Sequence, residues 1–160
     1  MRVFVAWSGE RSQRLALALR WWIRKVVPNV TVWMSTHDAT KGVAWRDGLE
    51  RRLRSADACL VCITSENVEA QWLGYEAGAV ACNARHSLVC CFVVGVQPHE
   101  LDGGPLGRFQ HTVPEREDVW RLVQAINRAL GDHAHNERLL KFSFRAHWPR
   151  LQKRLGAIVN

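Results

Sequence analysis

Four short runs of this chain are apolar almost without interruption: Val3–Trp7, Val30–Met34, Ala58–Thr64 and Leu88–Val94. None approaches the roughly 18 residues that a membrane span needs. None shows the in-and-out alternation of a sheet with one wet face. Runs of this length and character suit strands covered on both sides, the situation of a parallel sheet between two helical layers. The segments between them carry the complementary signal. Leu15, Leu19, Trp22, Ile23 and Val26 recur at helical spacing before Pro28-Asn29 stops them, and Trp45, Leu49 and Leu53 form a second spine ending near Ser55. After the third run, Val68, Trp72, Tyr75, Ala79 and Val80 form a third stripe.

Phe109–Val113 reads as a short fifth strand at an edge, and Val119, Leu122, Val123 and Ile126 predict a helix over Asp118–Leu130 that Gly131 closes. Between the fourth and fifth strands, Gln97–Arg108 is rich in Pro and Gly and reads as loop with at most a short helical turn. Strands alternating with helices and no hairpin signals predict an α/β fold with a doubly wound, five-stranded parallel sheet. Residues 1–132 make one such domain. Residues 133–160 form a helical C-terminal extension, read as two pieces meeting at Pro149 and folded back on the domain or on a partner. A chain of 160 residues is long enough to bury about two-thirds of its unfolded surface in one core.

Composition excludes several classes. The N-terminus runs from Met1-Arg2 straight into a strand without signal-peptide form, so a cytoplasmic protein is expected, with no membrane partner. The five cysteines lie mostly in apolar runs, which suits buried free thiols. Cys59-x-x-Cys62 has a metal or redox spacing, but in a strand positions three apart point to opposite faces, and no second ligand pair accompanies them. No metal is expected. The net charge of +7 suits an anionic partner. The arginines fall on polar helix faces without interleaved aromatics, so nucleic acid is an unlikely partner. Gly-x-Gly-x-x-Gly, the P-loop and the Gly-x-Ser-x-Gly elbow are all absent.

In doubly wound sheets ligands bind beyond the carboxyl ends of the strands, where the strand order reverses. Three segments converge there: the turn Trp7-Ser8-Gly9, the polar loop Ser35–Gly42, and the third helix with Trp72 and Glu76. The loop is expected to be mobile and to gate the crevice. Glu76 follows Trp72 by four residues, so both lie on one side of the helix. A carboxylate beside a core stripe is half-buried, lines a cleft, or rests at the solvent edge. Gly74 and Gly78 flank it, and each costs a helix interior up to about 1 kcal/mol relative to Ala, a cost usually borne where something approaches the backbone closely.

These motifs in this order resemble those of Toll/interleukin-1 receptor (TIR) domains. Phe4-Val5-Ala6-Trp7-Ser8 is similar to the first-strand box, and Trp33-Met34-Ser35 through Asp38, Gly42 and Trp45 to the second strand and the loop after it. Trp72-x-x-x-Glu76 followed by Ala77-Gly78-Ala79 resembles the helix bearing the glutamate of NAD-cleaving members, and Pro105-Leu106-x-x-Phe109-Gln110 and the tail resemble prokaryotic members. Several family members carry arginine or an acid where this chain has Ser8, Gly9 and Ser35.

The resemblance implies a flavodoxin-like fold and cleavage of NAD+ at the nicotinamide–ribose bond, by hydrolysis or cyclisation, in bacterial antiviral defence. It makes Glu76 the catalytic carboxylate and puts Trp7, Ser8, Ser35, Asp38, Trp45 and Trp72 around the nucleotide. NAD+ is then substrate, and no separate cofactor is implied. Homo-oligomers through TIR–TIR contacts and an activating or effector partner protein are further implications. Two other classes fit the sequence: a non-catalytic TIR–TIR interaction module and a basic nucleic-acid binder.

Overall fold

The computed structural model describes residues 1–34, 43–82 and 88–159, except for the side chains of residues 43–47 and 159. The elements alternate as predicted: β1 (Arg2–Ala6), α1 (Glu10–Val26), β2 (Thr31–Met34), α2 (Val43–Ser55), β3 (Ala58–Thr64), α3 (Gln71–Ala81), β4 (Leu88–Val94), β5 (Gln110–Thr112), α4 (Arg116–Ala129) and α5 (Glu137–Val159). The strands form one parallel sheet in the order β2-β1-β3-β4-β5. The chain steps outward from β1 to β2, then returns past β1 to β3. The reversal of strand order therefore lies between β1 and β3, the flavodoxin-like arrangement.

Because side chains alternate along a strand, the sheet divides the core in two. Val3, Val5, Leu60, Cys62, Cys90 and Phe92 face α1, α4 and α5. Phe4, Ala6, Cys59, Val61, Cys91 and Val93 face α2 and α3. Cys59 and Cys62 thus lie on opposite faces, and the five cysteines are free thiols.

Two elements differ from the sequence reading. Residues 65–69 are turn, with Ala70 extended as the N-cap, rather than the first turns of α3. The α3 face turned to the sheet carries Leu73, Glu76, Ala77 and Val80, whereas Tyr75 is exposed and Trp72 only partly buried. Alanine and glycine fill so much of this helix that apolar period alone does not fix which side faces inward.

The tail is the second difference. Helix α5 runs unbroken from Glu137 to Val159 with Pro149 inside it. Proline removes one helical hydrogen bond and costs about 3 kcal/mol in an isolated helix. Here Leu140, Phe144 and Trp148 before it and Leu151, Leu155 and Ile158 after it are all buried in the α1-side core, so both halves are held in line. Helix α5 lies antiparallel to α1: Ser143 Oγ donates to the Lys25 carbonyl at 2.9 Å, and Arg14 Nη2 donates to the Ala157 carbonyl at 3.0 Å. The Trp22 and Phe144 rings meet edge-on at 5.7 Å between them.

Candidate functional site at the start of α3

Strand β3 ends at Thr64, and the chain must turn back over the sheet to begin α3. Asn67 fixes that turn. Its side-chain oxygen accepts from Thr64 N at 2.8 Å and its amide donates to the Cys62 carbonyl at 2.9 Å, with the residue only 3% exposed. An asparagine that satisfies two buried backbone groups in this way ties the turn to the strand it leaves. It accounts for the delayed start of α3.

The loop after β4 presses on α3 from outside. A 3-10 turn, Pro98–Leu101, leads into a stretch whose Leu101 and Leu106 are buried in the α3-side core. Pro105 sits so near the helix that a Cβ on Gly74 would come within 2.8 Å of its Cγ. The expected close approach at Gly74 is therefore real, and the partner is Pro105. At Gly78 no described atom lies within 4 Å of such a Cβ. Between the α3 start and this loop is a cleft of about 310 Å³ lined by Val68, Ala70, Gln71, Leu101 and Pro105 among others.

Glu76 lies one turn further into α3 and is completely buried. It is neither half-exposed nor at the solvent edge. Burial pushes its carboxyl from an ordinary 4.5 up to about 8, and the hydrogen bond from the Trp72 side chain opposes that rise. It neighbours Cys59 on the facing strand, whose thiol is driven well up, first by burial and then by the nearby Glu76 carboxyl group. Trp72 flanks the carboxylate and leans on Tyr75, with ring centroids 5.1 Å apart and tilted by 31°. Trp72 and Glu76 are thus together, an apolar wall beside a dry carboxylate.

The turn after β1 is built separately. Ser12, fully buried, accepts from Ser8 N at 2.9 Å and donates to the Ser8 carbonyl at 2.6 Å, which holds the half-buried Ser8 in place. Gly9 adopts φ 90°, and a Cβ there would meet Glu66 Oε2 at 3.2 Å, so glycine suits this position on both counts. Glu66 accepts from Arg11 N at 3.2 Å, capping α1 from the neighbouring loop, and pairs with the Arg11 side chain at 3.7 Å. The loops after β1 and β3 are thereby tied together across the strand-order reversal. Trp7 is buried in the α1-side core, across the sheet from Glu76, so the fold does not bring these two side chains together. Ser35, Asp38 and the Trp45 side chain lie outside the described residues, as does the Ser35–Gly42 loop expected to act as a gate.

Glu66, Asn67 and Ser12 were not singled out from sequence. The polar cluster Thr64-Ser65-Glu66-Asn67 immediately after a buried strand was the available signal, since Asn and Ser in such clusters close turns.

A comparison with protein-family models matches residues 3–114 to the TIR domain. The chain belongs to the TIR domain family. The match takes in the five strands and α1–α3, so the sheet, the strand-order reversal and the α3 carboxylate lie within it, and it ends before α4. No curated protein matches the chain. Among the described residues no group of His, Cys, Asp or Glu could hold a metal ion, and no helix is long and apolar enough to cross a membrane.

Proposed function

We propose that this TIR domain cleaves NAD+ at the nicotinamide–ribose bond, with Glu76 as the catalytic carboxylate. The observation that carries the reading is a single glutamate, wholly buried beside Trp72 on the helix after β3, its pKa lifted to about 8. A folded protein rarely keeps a carboxyl group in such a place without use for it.

The chemistry needs only one carboxylate. Nicotinamide is bound to ribose as a cationic pyridinium. When the C1′–N bond breaks, the electron pair goes to the ring nitrogen and nicotinamide leaves neutral, so no general acid is required. The sugar is left with oxocarbenium character, as in glycoside hydrolysis. An anion held in a dry, preorganised site stabilises that charge far better than it could in water. Water adding at C1′ and losing a proton gives ADP-ribose; a ribose hydroxyl or the adenine of the same molecule gives a cyclic isomer.

The raised pKa fits this role. Glu76 rests neutral and covered. A bound pyridinium cation favours its charged form, so substrate binding and ionisation of Glu76 reinforce one another. Trp72 supplies a wall beside the carboxylate, and Ser8 presents its half-buried turn at the strand-order reversal. Ser35, Asp38 and Trp45 complete the nucleotide site in this reading, with Trp7 supporting the β1 end from the far face. NAD+ is the substrate and no separate cofactor takes part. TIR domains commonly self-associate, and we take the active form to be a homo-oligomer that answers to an activating or effector partner in cytoplasmic antiviral defence signalling.

A second reading, a non-catalytic TIR–TIR interaction module, draws on the same burial, since a covered glutamate is closed to substrate in the described conformation. Nicotinamide release from NAD+ by purified protein at high concentration separates the two. Release that depends on Glu76 supports the enzyme; no release from an assembled oligomer supports the module.

A further inference from the structure

The positive charge of this protein is gathered on one pair of adjacent helices. Helices α1 and α5 carry eleven Arg and Lys against two acids, Glu10 and Glu137, a net +9. The whole chain is +7, so everything else sums to −2. The two helices lie side by side, and Arg14, Arg20, Arg24, Lys25, Arg145 and Lys153 on them are all exposed.

The outer stripe of α5 adds a second feature. Arg138, Phe142, Arg145, Pro149 and Lys153 recur at three- and four-residue spacing, all exposed, opposite the buried face of Leu140, Phe144 and Leu151. At its centre Phe142 is 74% exposed, and Leu139 one turn away is 67% exposed, the two most exposed large apolar side chains described. Single exposed apolar residues are commonplace. Two neighbouring apolar side chains protruding at and beside a stripe whose long polar side chains are cations are a different matter.

We propose that the α1–α5 face docks on the surface of an anionic lipid bilayer, Phe142 and Leu139 entering the interfacial layer while the arginines and lysines around them meet lipid phosphates. A cationic surface with a few protruding apolar side chains is what peripheral attachment to acidic lipid requires, since neither contribution alone holds a protein there firmly. Nucleic acid fits the same surface less well. A leucine offers a phosphate or a base little, and of the two flat aromatics of this face only Phe142 is open, since Trp21 is covered by Arg150 at 4.4 Å and Arg154 at 4.9 Å from its ring centre, which leaves one ring where a stacking platform uses several. The attachment is peripheral, and it is independent of whether Glu76 cleaves NAD+.

Sedimentation of the whole protein with vesicles tests it. Vesicles with about 40% phosphatidylglycerol in phosphatidylcholine should carry the protein down at about 0.15 M salt, and pure phosphatidylcholine vesicles should not. The double variant L139S/F142S should bind the anionic vesicles at least about tenfold more weakly while melting like wild type. R138E/K153E, altered only at exposed positions, should lose binding as well. Absence of binding to the anionic vesicles overturns the proposal. So does undiminished binding by L139S/F142S, or tighter binding to a duplex DNA of about 20 base pairs than to the vesicles, which would make this a nucleic-acid surface.

Discussion

Replacing Glu76 by Gln keeps the size of the side chain and removes its titration, and the structure makes the consequence for stability specific. In the folded protein burial lifts the Glu76 carboxyl from 4.5 to about 8. The folded state therefore holds the proton more tightly than the unfolded chain. Below about pH 4.5 the group is neutral in both states and burial costs nothing extra; as pH rises toward 8 the unfolded chain ionises while the folded one resists, and wild-type stability falls. At 1.36 kcal/mol per pKa unit the complete displacement is worth at most about 4–5 kcal/mol. Local opening that lets water reach the carboxylate caps the cost, so about 2 kcal/mol is the expected pH-dependent part.

Glu76→Gln should therefore gain stability over wild type between about pH 5 and pH 8.5, a relative rise in Tm of about 4–8 °C for a domain of this size. The assay is thermal melting of both proteins across that range, taking the difference at each pH so that groups common to both cancel. A flat difference would refute the reasoning: Glu76 would then not be held neutral by burial. Such a gain would also mark Glu76 as a residue kept at a cost to stability, as functional groups often are.

Asn67→Ala removes the acceptor for Thr64 N and the donor to the Cys62 carbonyl, leaving buried backbone groups unpaired; a loss of about 2–4 kcal/mol in chemical denaturation is expected, and a loss below about 0.5 kcal/mol contradicts the role given to the turn. Gly74→Val should destabilise by about 1–3 kcal/mol because even its Cβ would crowd Pro105, and pairing it with Pro105→Ala should recover part of that loss. If the active form is an oligomer, NAD+ cleavage should rise faster than linearly with protein concentration, and constant specific activity from a monomer contradicts this.

Apolar runs and helical stripes were enough to read the sheet, because a strand buried on both faces is apolar almost without a break. β3 and β4 have the limits predicted, and the α1 stripe is buried at every position named. What failed did so where the sequence lacks contrast. Gln71–Ala81 is largely alanine, glycine and apolar, so the stripe took in the exposed Tyr75 and left out Leu73 and Ala77, which are buried together with Val80. Pro149 was read as a break because local chemistry says so, and only the packing on both sides of it overrides that.

The candidate site was partly legible. The pairing of Trp72 with Glu76 follows from four-residue spacing on a helix. The depth of Glu76 does not, because it depends on which side of α3 is turned to the sheet, and spacing alone leaves that open. The convergence of the Trp7-Ser8-Gly9 turn and the Trp72–Glu76 helix on one crevice followed from both lying near the same strand ends. That reading overlooked that Trp7 continues the Val3–Val5 side of β1, whereas α3 covers the Phe4–Ala6 side.

The central claim rests on Glu76, and one comparison tests it most directly: nicotinamide release from NAD+ by wild type and Glu76→Gln at matched high protein concentration. Glu69→Gln serves as control, since Glu69 is exposed in the turn before α3. The account predicts release by wild type and by the Glu69 variant, and a fall of at least about 10²-fold in the Glu76 variant while it stays folded, the scale of losing one preorganised electrostatic contact. A folded Glu76→Gln protein that releases nicotinamide at the wild-type rate would contradict it.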